Sequence, residues 1–99
     1  MSSGKSLRLN DCTLRTIQGL HQELVRLLAA SGSVSLDRTD VQRPNTAMLQ
    51  LLAVFARDLR AQSRSIEWCG ESAPFDRAAR ALGLSASLGL PAAVDGETA

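Results

Sequence analysis

The chain reads as an α/β domain with a small mixed sheet of about four strands, packed with about three or four helices. Three observations point there. Apolar residues recur at helical spacing in three separate stretches. Short runs that alternate polar and apolar residues lie between those stretches. Single helical segments separate most of the strand candidates, the pattern of βαβ units with right-handed crossovers.

The first element is the alternating run Lys5 to Leu9, a short strand, and Asn10-Asp11 marks a turn after it. Cys12 to Leu14 is expected as a second short extended piece. Thr16 is expected to cap a helix that runs to about Ala30, with Ile17, Leu20, Leu24, Leu27 and Leu28 on one stripe. Gly19 weakens that helix by about 1 kcal/mol relative to alanine. Gly32, within Ser31-Gly32-Ser33, is expected as its left-handed cap. Val34 and Leu36 alternate with polar neighbours in a strand from Ser33 to Asp37. Thr39 to Pro44 then forms a loop with Val41 tucked inward. Pro44 drives Arg43 out of the helical region.

The longest amphipathic stretch follows, from Asn45 to Gln62, with Asn45 as its cap. Ser63 to Ser65 breaks it, Ile66 to Cys69 is a further strand, and Gly70 ends that strand. Ser72 and Pro74 start a last helix with Phe75, Ala78, Ala79 and Leu82 on its buried side and Gly83 at its stop. Leu84, Leu88 and Leu90 suggest a short closing turn. Residues 5–90 are thus expected as one domain and residues 91–99, without periodicity, as a flexible tail.

Composition narrows the function. A chain of 99 residues, 44% hydrophobic and 21% charged, suits one modest core. With only Phe55, Phe75 and Trp68 as aromatics, that core must be built from aliphatic side chains. A net charge of +1 offers no electrostatic case for binding nucleic acid or an anionic membrane. No apolar run approaches a membrane span, and MSSGKS lacks the apolar region of a secretory signal, so a cytoplasmic location is expected, without direct membrane insertion.

Catalytic and cofactor chemistry finds little support. Cys12 and Cys69 form no CxxC pair, and His21 completes no zinc set with them. No phosphate-binding glycine loop and no GxSxG elbow is present. No enzyme activity, cofactor or metal is expected. Arg57, Arg60 and Arg64 gather near the end of the long helix, where the plainer account is placement toward its negative pole.

At 100° per residue the long helix divides into two faces. Met48, Leu51, Leu52, Phe55 and Leu59 point to the core. Thr46, Gln50, Ala53, Arg57 and Arg60 point outward, with Leu49 and Val54 on the flanks. Asn45, Thr46, Leu49, Gln50, Ala53 and Arg57 are therefore the candidate partner-binding residues. Thr46 sits in the first turn, where a helix N-terminus tolerates phosphate, which adds about −1.5 to −2 charge to the surface beside it.

The stretch SLDRTDVQRPNTAMLQLLAVFARDLRAQSRSIEWCGESAPFDRAARALGL resembles a STAS domain, the fold of bacterial anti-sigma factor antagonists. That family has a strand ending in Asp, a loop, then D-[ST]-x-G-L-x-L-L entering the central helix, and a final helix ending in L-x-G-L. Asp37, Asn45 to Leu52 and Ala81 to Leu84 hold the corresponding positions; Asn45 and Met48 depart from the family's Asp and Gly. The resemblance implies a non-enzymatic module whose hydroxyl residue, here Thr46, is phosphorylated by an anti-sigma-factor kinase that binds the unmodified form. The short amino-terminal part is most similar to the compact branch that includes MlaB-like subunits and small chemotaxis-associated proteins. Two classes of partner follow: a signalling protein of the anti-sigma, serine-kinase or chemotaxis type, or the ATPase of a phospholipid-transporting ABC system. A small-ligand sensor is a third class, which no motif here supports.

Overall fold

The computed structural model describes residues 5–11, 13 and 15–90. Their elements run β1 (Lys5–Asn10), α1 (Ile17–Ala29), β2 (Val34–Asp40), α2 (Thr46–Ala61), β3 (Ile66–Cys69), α3 (Ala73–Ala81) and α4 (Ser85–Leu88). The strands form one sheet in the order β1-β2-β3, and both pairings are parallel. The sheet has three strands among the described residues, rather than about four, and none of its pairs is antiparallel. Two residues of the extended piece expected at 12–14 lie outside the described residues. Thr13, between them, belongs to a turn in which its N–H donates to Thr16 Oγ1 at 2.9 Å. The expected tail, 91–99, also lies outside.

Register explains the sidedness of the sheet. Leu7, Leu36 and Trp68 are paired across it, as are Lys5, Val34 and Ile66. Side chains alternate faces along a strand, so these residues share one face, and Val34 and Leu36 there are fully buried. The other face carries Ser6, Arg8, Ser35, Asp37, Glu67 and Cys69, none of which is buried. Strands in sequential order place successive right-handed crossovers on the same side. Consistently, α1 packs on α2 and α2 packs on α4. The helices thus form one layer over one sheet face.

Helix α2 is the centre of that layer. Met48, Leu49, Leu52, Phe55, Ala56 and Leu59 are its buried residues. Burying a large aliphatic or aromatic side chain contributes roughly 1.5–3 kcal/mol, so these positions account for much of the core. The buried face is rotated from the expected one. Leu49 and Ala56 point inward, Leu51 is half-buried, and Val54 is 44% exposed. Part of the cover comes from α4, which packs on α2; Arg60, on the flank that carries Ala56, donates to the Ser87 carbonyl at 2.9 Å.

Several helix ends differ from expectation. Thr16 makes no side-chain cap, and its N–H and that of Ile17 go back to the Thr13 carbonyl instead. Gly32 is left-handed but does not cap α1, whose C-cap, Ala30, is extended. The α1 carbonyls of Leu27 and Leu28, with that of Gly32, accept hydrogen bonds from Arg64. Leu82, expected inside, is 44% exposed, because α3 has ended and Leu82 is already its C-cap. Ser72, Asn45 and Gly83 behave as anticipated: both side chains cap, and Gly83 takes φ 72°.

Candidate functional site

The candidate surface begins at the loop between β2 and α2, which two side chains from elsewhere in the chain hold in place. One Asp11 carboxylate oxygen accepts the N–H groups of Gln42 and Arg43, both at 2.7 Å. The Ser72 hydroxyl, buried, donates to the Val41 carbonyl at 2.6 Å while accepting from Phe75 N–H. Val41 itself is buried, as its place in the loop suggested. The entrance to α2 therefore stands on a fixed base.

At that entrance Asn45 has extended backbone and accepts the Met48 N–H on Oδ1 at 2.8 Å. Leu49 N–H goes to the Asn45 carbonyl. Thr46 is the first helical residue and is exposed. Helix geometry gives the amides of that first turn no carbonyl partner inside the helix, which makes the position favourable for negative charge. Met48, standing where the STAS pattern has Gly, is fully buried and fills core space.

The sequence-derived residues are only partly brought together. Thr46, Gln50 and Arg57 are exposed along one side of α2, and Ala53 beside them is half-buried against the α4 flank. Leu49 is 1% exposed and is withdrawn from the surface, whereas Val54, on the α1 side of the helix, is 44% exposed. The basic cluster also resolves into separate roles. Arg64 ties α1 to the end of α2, and Arg60 ties α2 to α4. Arg57, whose Nε lies 3.7 Å from Asp58, is the arginine of the three that faces outward without a backbone partner of that kind.

A second polar group, beneath the strand ends, was not anticipated from sequence. Arg38 is 5% exposed, and its guanidinium makes two bonds to Asp76 at 3.0 and 3.3 Å. The guanidinium also lies 5.8 Å from the Trp68 ring, which in turn packs on Phe75. Trp68 Nε1 donates to the Leu88 carbonyl at 2.9 Å. This set binds β2, β3, α3 and α4 together. The signal was present in outline, since Arg38 continues the inward alternation of Val34 and Leu36, but a charged residue at the end of a strand reads as its exit.

On the open sheet side, Asp37 Oδ1 accepts both the Thr39 hydroxyl at 2.6 Å and the Thr39 N–H at 2.9 Å. The Thr39 hydroxyl bond, then its N–H bond, hold the Asp37 carboxyl below the usual range against some desolvation, with Arg8 and Arg38 adding to the effect. Gly70 lies against this pair: a Cβ there would run into Thr39 Oγ1 and stand 2.6 Å from Asp37 Oδ1. The Gly is required by close approach as well as by its φ of 69°. His21 is exposed and separate from these groups; Cys69, also exposed, is the cross-strand neighbour of Asp37.

Among the described residues no group of three or more His, Cys, Asp or Glu is placed to hold a metal ion. No helix among them is long and apolar enough to cross a membrane. Compared with protein-family models, curated proteins and solved structures, the chain matches none.

Proposed function

We propose that this chain is a non-enzymatic protein-interaction module that docks a signalling partner of the anti-sigma or serine-kinase type through the outer side of α2, with phosphorylation of Thr46 as its switch. The observation that carries the reading is an exposed hydroxyl at the first position of a 16-residue helix whose entry loop is fixed by Asp11 and Ser72. A phosphate there gains the helix N-terminus and places about two negative charges beside Gln50 and Ala53, where a neutral partner surface would have to desolvate them. The motif resemblance to STAS domains supplies the partner class, and a cytoplasmic location belongs to the same reading. Substitution of a fully buried Met48 for the family's Gly, with Asn45 for its Asp, favours a second reading: a constitutive MlaB-like subunit that holds a transporter ATPase, with Thr46 only at the helix entrance.

Affinity capture from the native host separates the two. Wild type, Thr46→Ala and Thr46→Glu are compared as baits, with circular dichroism confirming equal folding. The switch predicts that a kinase-like protein is retained by wild type and Thr46→Ala and lost with Thr46→Glu. An ATPase retained equally by all three would sink the switch and establish the subunit.

A further inference from the structure

Between α1 and α2 the helical layer leaves an apolar groove that the core does not fill. It is lined by Val25 and Leu28 from α1 and by Leu51 and Val54 from α2, with His21 and Asp58 among its walls. Val25 is 51% exposed and Val54 44%, two of the three large apolar side chains so exposed among the described residues. The groove is shallow and open to solvent, with a cavity volume of ≈ 60 Å³, too small for an enclosed ligand, so it suits a covering side-chain layer.

The polar groups identify the cover. In consecutive parallel βαβ units each crossover helix runs opposite to the strands, so α1 and α2 run in the same direction side by side. Segments 21–28 and 51–58 flank the groove, which sets His21 toward its amino-terminal end and Asp58 toward its carboxy-terminal end, roughly 10 Å along the axis. A foreign helix would have to carry an acceptor and a donor at that spacing and in that order. A second copy of this chain carries both already. A two-fold axis across the middle of the groove lays the Val25–Val54 centre on itself and brings each His21 to the other copy's Asp58. An imidazole N–H donates to a carboxylate whether the ring is neutral or charged.

We propose that the α1/α2 groove is the self-association surface of this chain, an isologous contact with an apolar centre and a His21–Asp58 pair at each end. Two helices of this length present a face of roughly 20 Å by 20 Å, on the order of 400 Å² a side, about half that of a standard stable complex. The dimer is therefore weak and concentration-dependent. It does not rest on the proposed partner site, because the groove lies on the α1 flank of α2 and Ala53 lies on the α4 flank.

Sedimentation equilibrium from about 1 µM to 1 mM covers the range in which an interface of this size associates. Wild type should pass from monomer to dimer, and Val54→Glu, at an exposed position, should remain monomeric with an unchanged circular dichroism spectrum. His21→Asp and Asp58→His should each weaken association by ~10-fold, since each places like groups at both ends. An equimolar mixture of these two variants should recover it, because the mixed dimer restores both pairs. Wild type that stays monomeric throughout would assign the groove to another occupant and overturn the proposal. So would a dimer indifferent to Val54→Glu, or a mixture no stronger than either single variant.

Discussion

Asp37 shows how a surface carboxylate can be tied to stability by its immediate neighbours. Both bonds from Thr39 favour the ionised form, and its folded pKa is lowered from 3.8. A lowered folded value means the unfolded chain binds the proton first. The contribution is therefore present above the ordinary carboxylate range and lost as pH falls through the folded pKa. Asp37→Asn keeps an acceptor oxygen and removes the titration. Urea midpoints measured from pH 6 down to pH 2.5 should fall less steeply for Asp37→Asn than for wild type. Parallel acid limbs would show that the Thr39 bonds do not distinguish the two protonation states.

At the same scale, Arg38 illustrates what a sequence conceals. The strand reads correctly as far as Asp37, then continues to Asp40 because Arg38 turns inward. Nothing within a few residues announces its partner, which lies 38 positions away in α3. Alternation gives the direction of a side chain; it does not supply the counter-charge that makes burial of a guanidinium tolerable.

Among the elements, α2 was the most legible, and its errors are instructive. Its bounds, its Asn45 cap and four of its five expected inward residues agree with the structure. Leu49 was set on a flank, and Ala56 given no face, because a helical wheel centres the buried arc on the bulkiest residues, whereas the arc is set by what covers the helix. Here α4, a four-residue helix with little periodicity of its own, packs on α2 and is tied to it through Arg60. The same limit explains Leu51, which faces the groove shared with α1 and not the sheet.

The end of α2 also carries a conformational cost. Ser63 has φ 59°, its N–H bonds to the Arg60 carbonyl, and Arg64 N–H bonds to that of Leu59. This is a Schellman arrangement with serine in the left-handed position, where α3 has Gly83. Ser63→Gly removes the strain of a Cβ in that region and gives back part of the gain through a freer unfolded chain. A net stabilisation of about 0.5–1 kcal/mol is expected, or a rise of about 2–6 °C in the thermal midpoint. A lower midpoint would mean that the Ser63 side chain makes a contribution larger than its strain.

For the whole molecule, the α/β class and the parallel crossovers were legible because they depend on the order of elements. The strand count was less so, since a three-residue alternation such as 12–14 is too short to separate from a turn. The sheet leaves its polar side, with Arg8, Asp37 and Glu67, toward solvent and gathers the helices on the other. The proposed docking surface therefore belongs to the helical layer, with α2 at its centre. The exposed residues of the candidate site, Thr46, Gln50 and Arg57, were all identifiable from spacing, because surface positions need no knowledge of the opposing element.

The central claim is that the outer side of α2 is the docking surface. Its most direct test is the dissociation constant of the captured host partner, measured for wild type, for Gln50→Arg/Arg57→Glu, and for Arg77→Glu on α3 as a control. All altered side chains are exposed, so folding should be retained. The account predicts at least ~10-fold weaker binding for the α2 double variant, the loss expected when central interface positions gain or reverse a charge, and no change for the control. Equal affinity for wild type and the α2 variant, or an equal loss with Arg77→Glu, would contradict it.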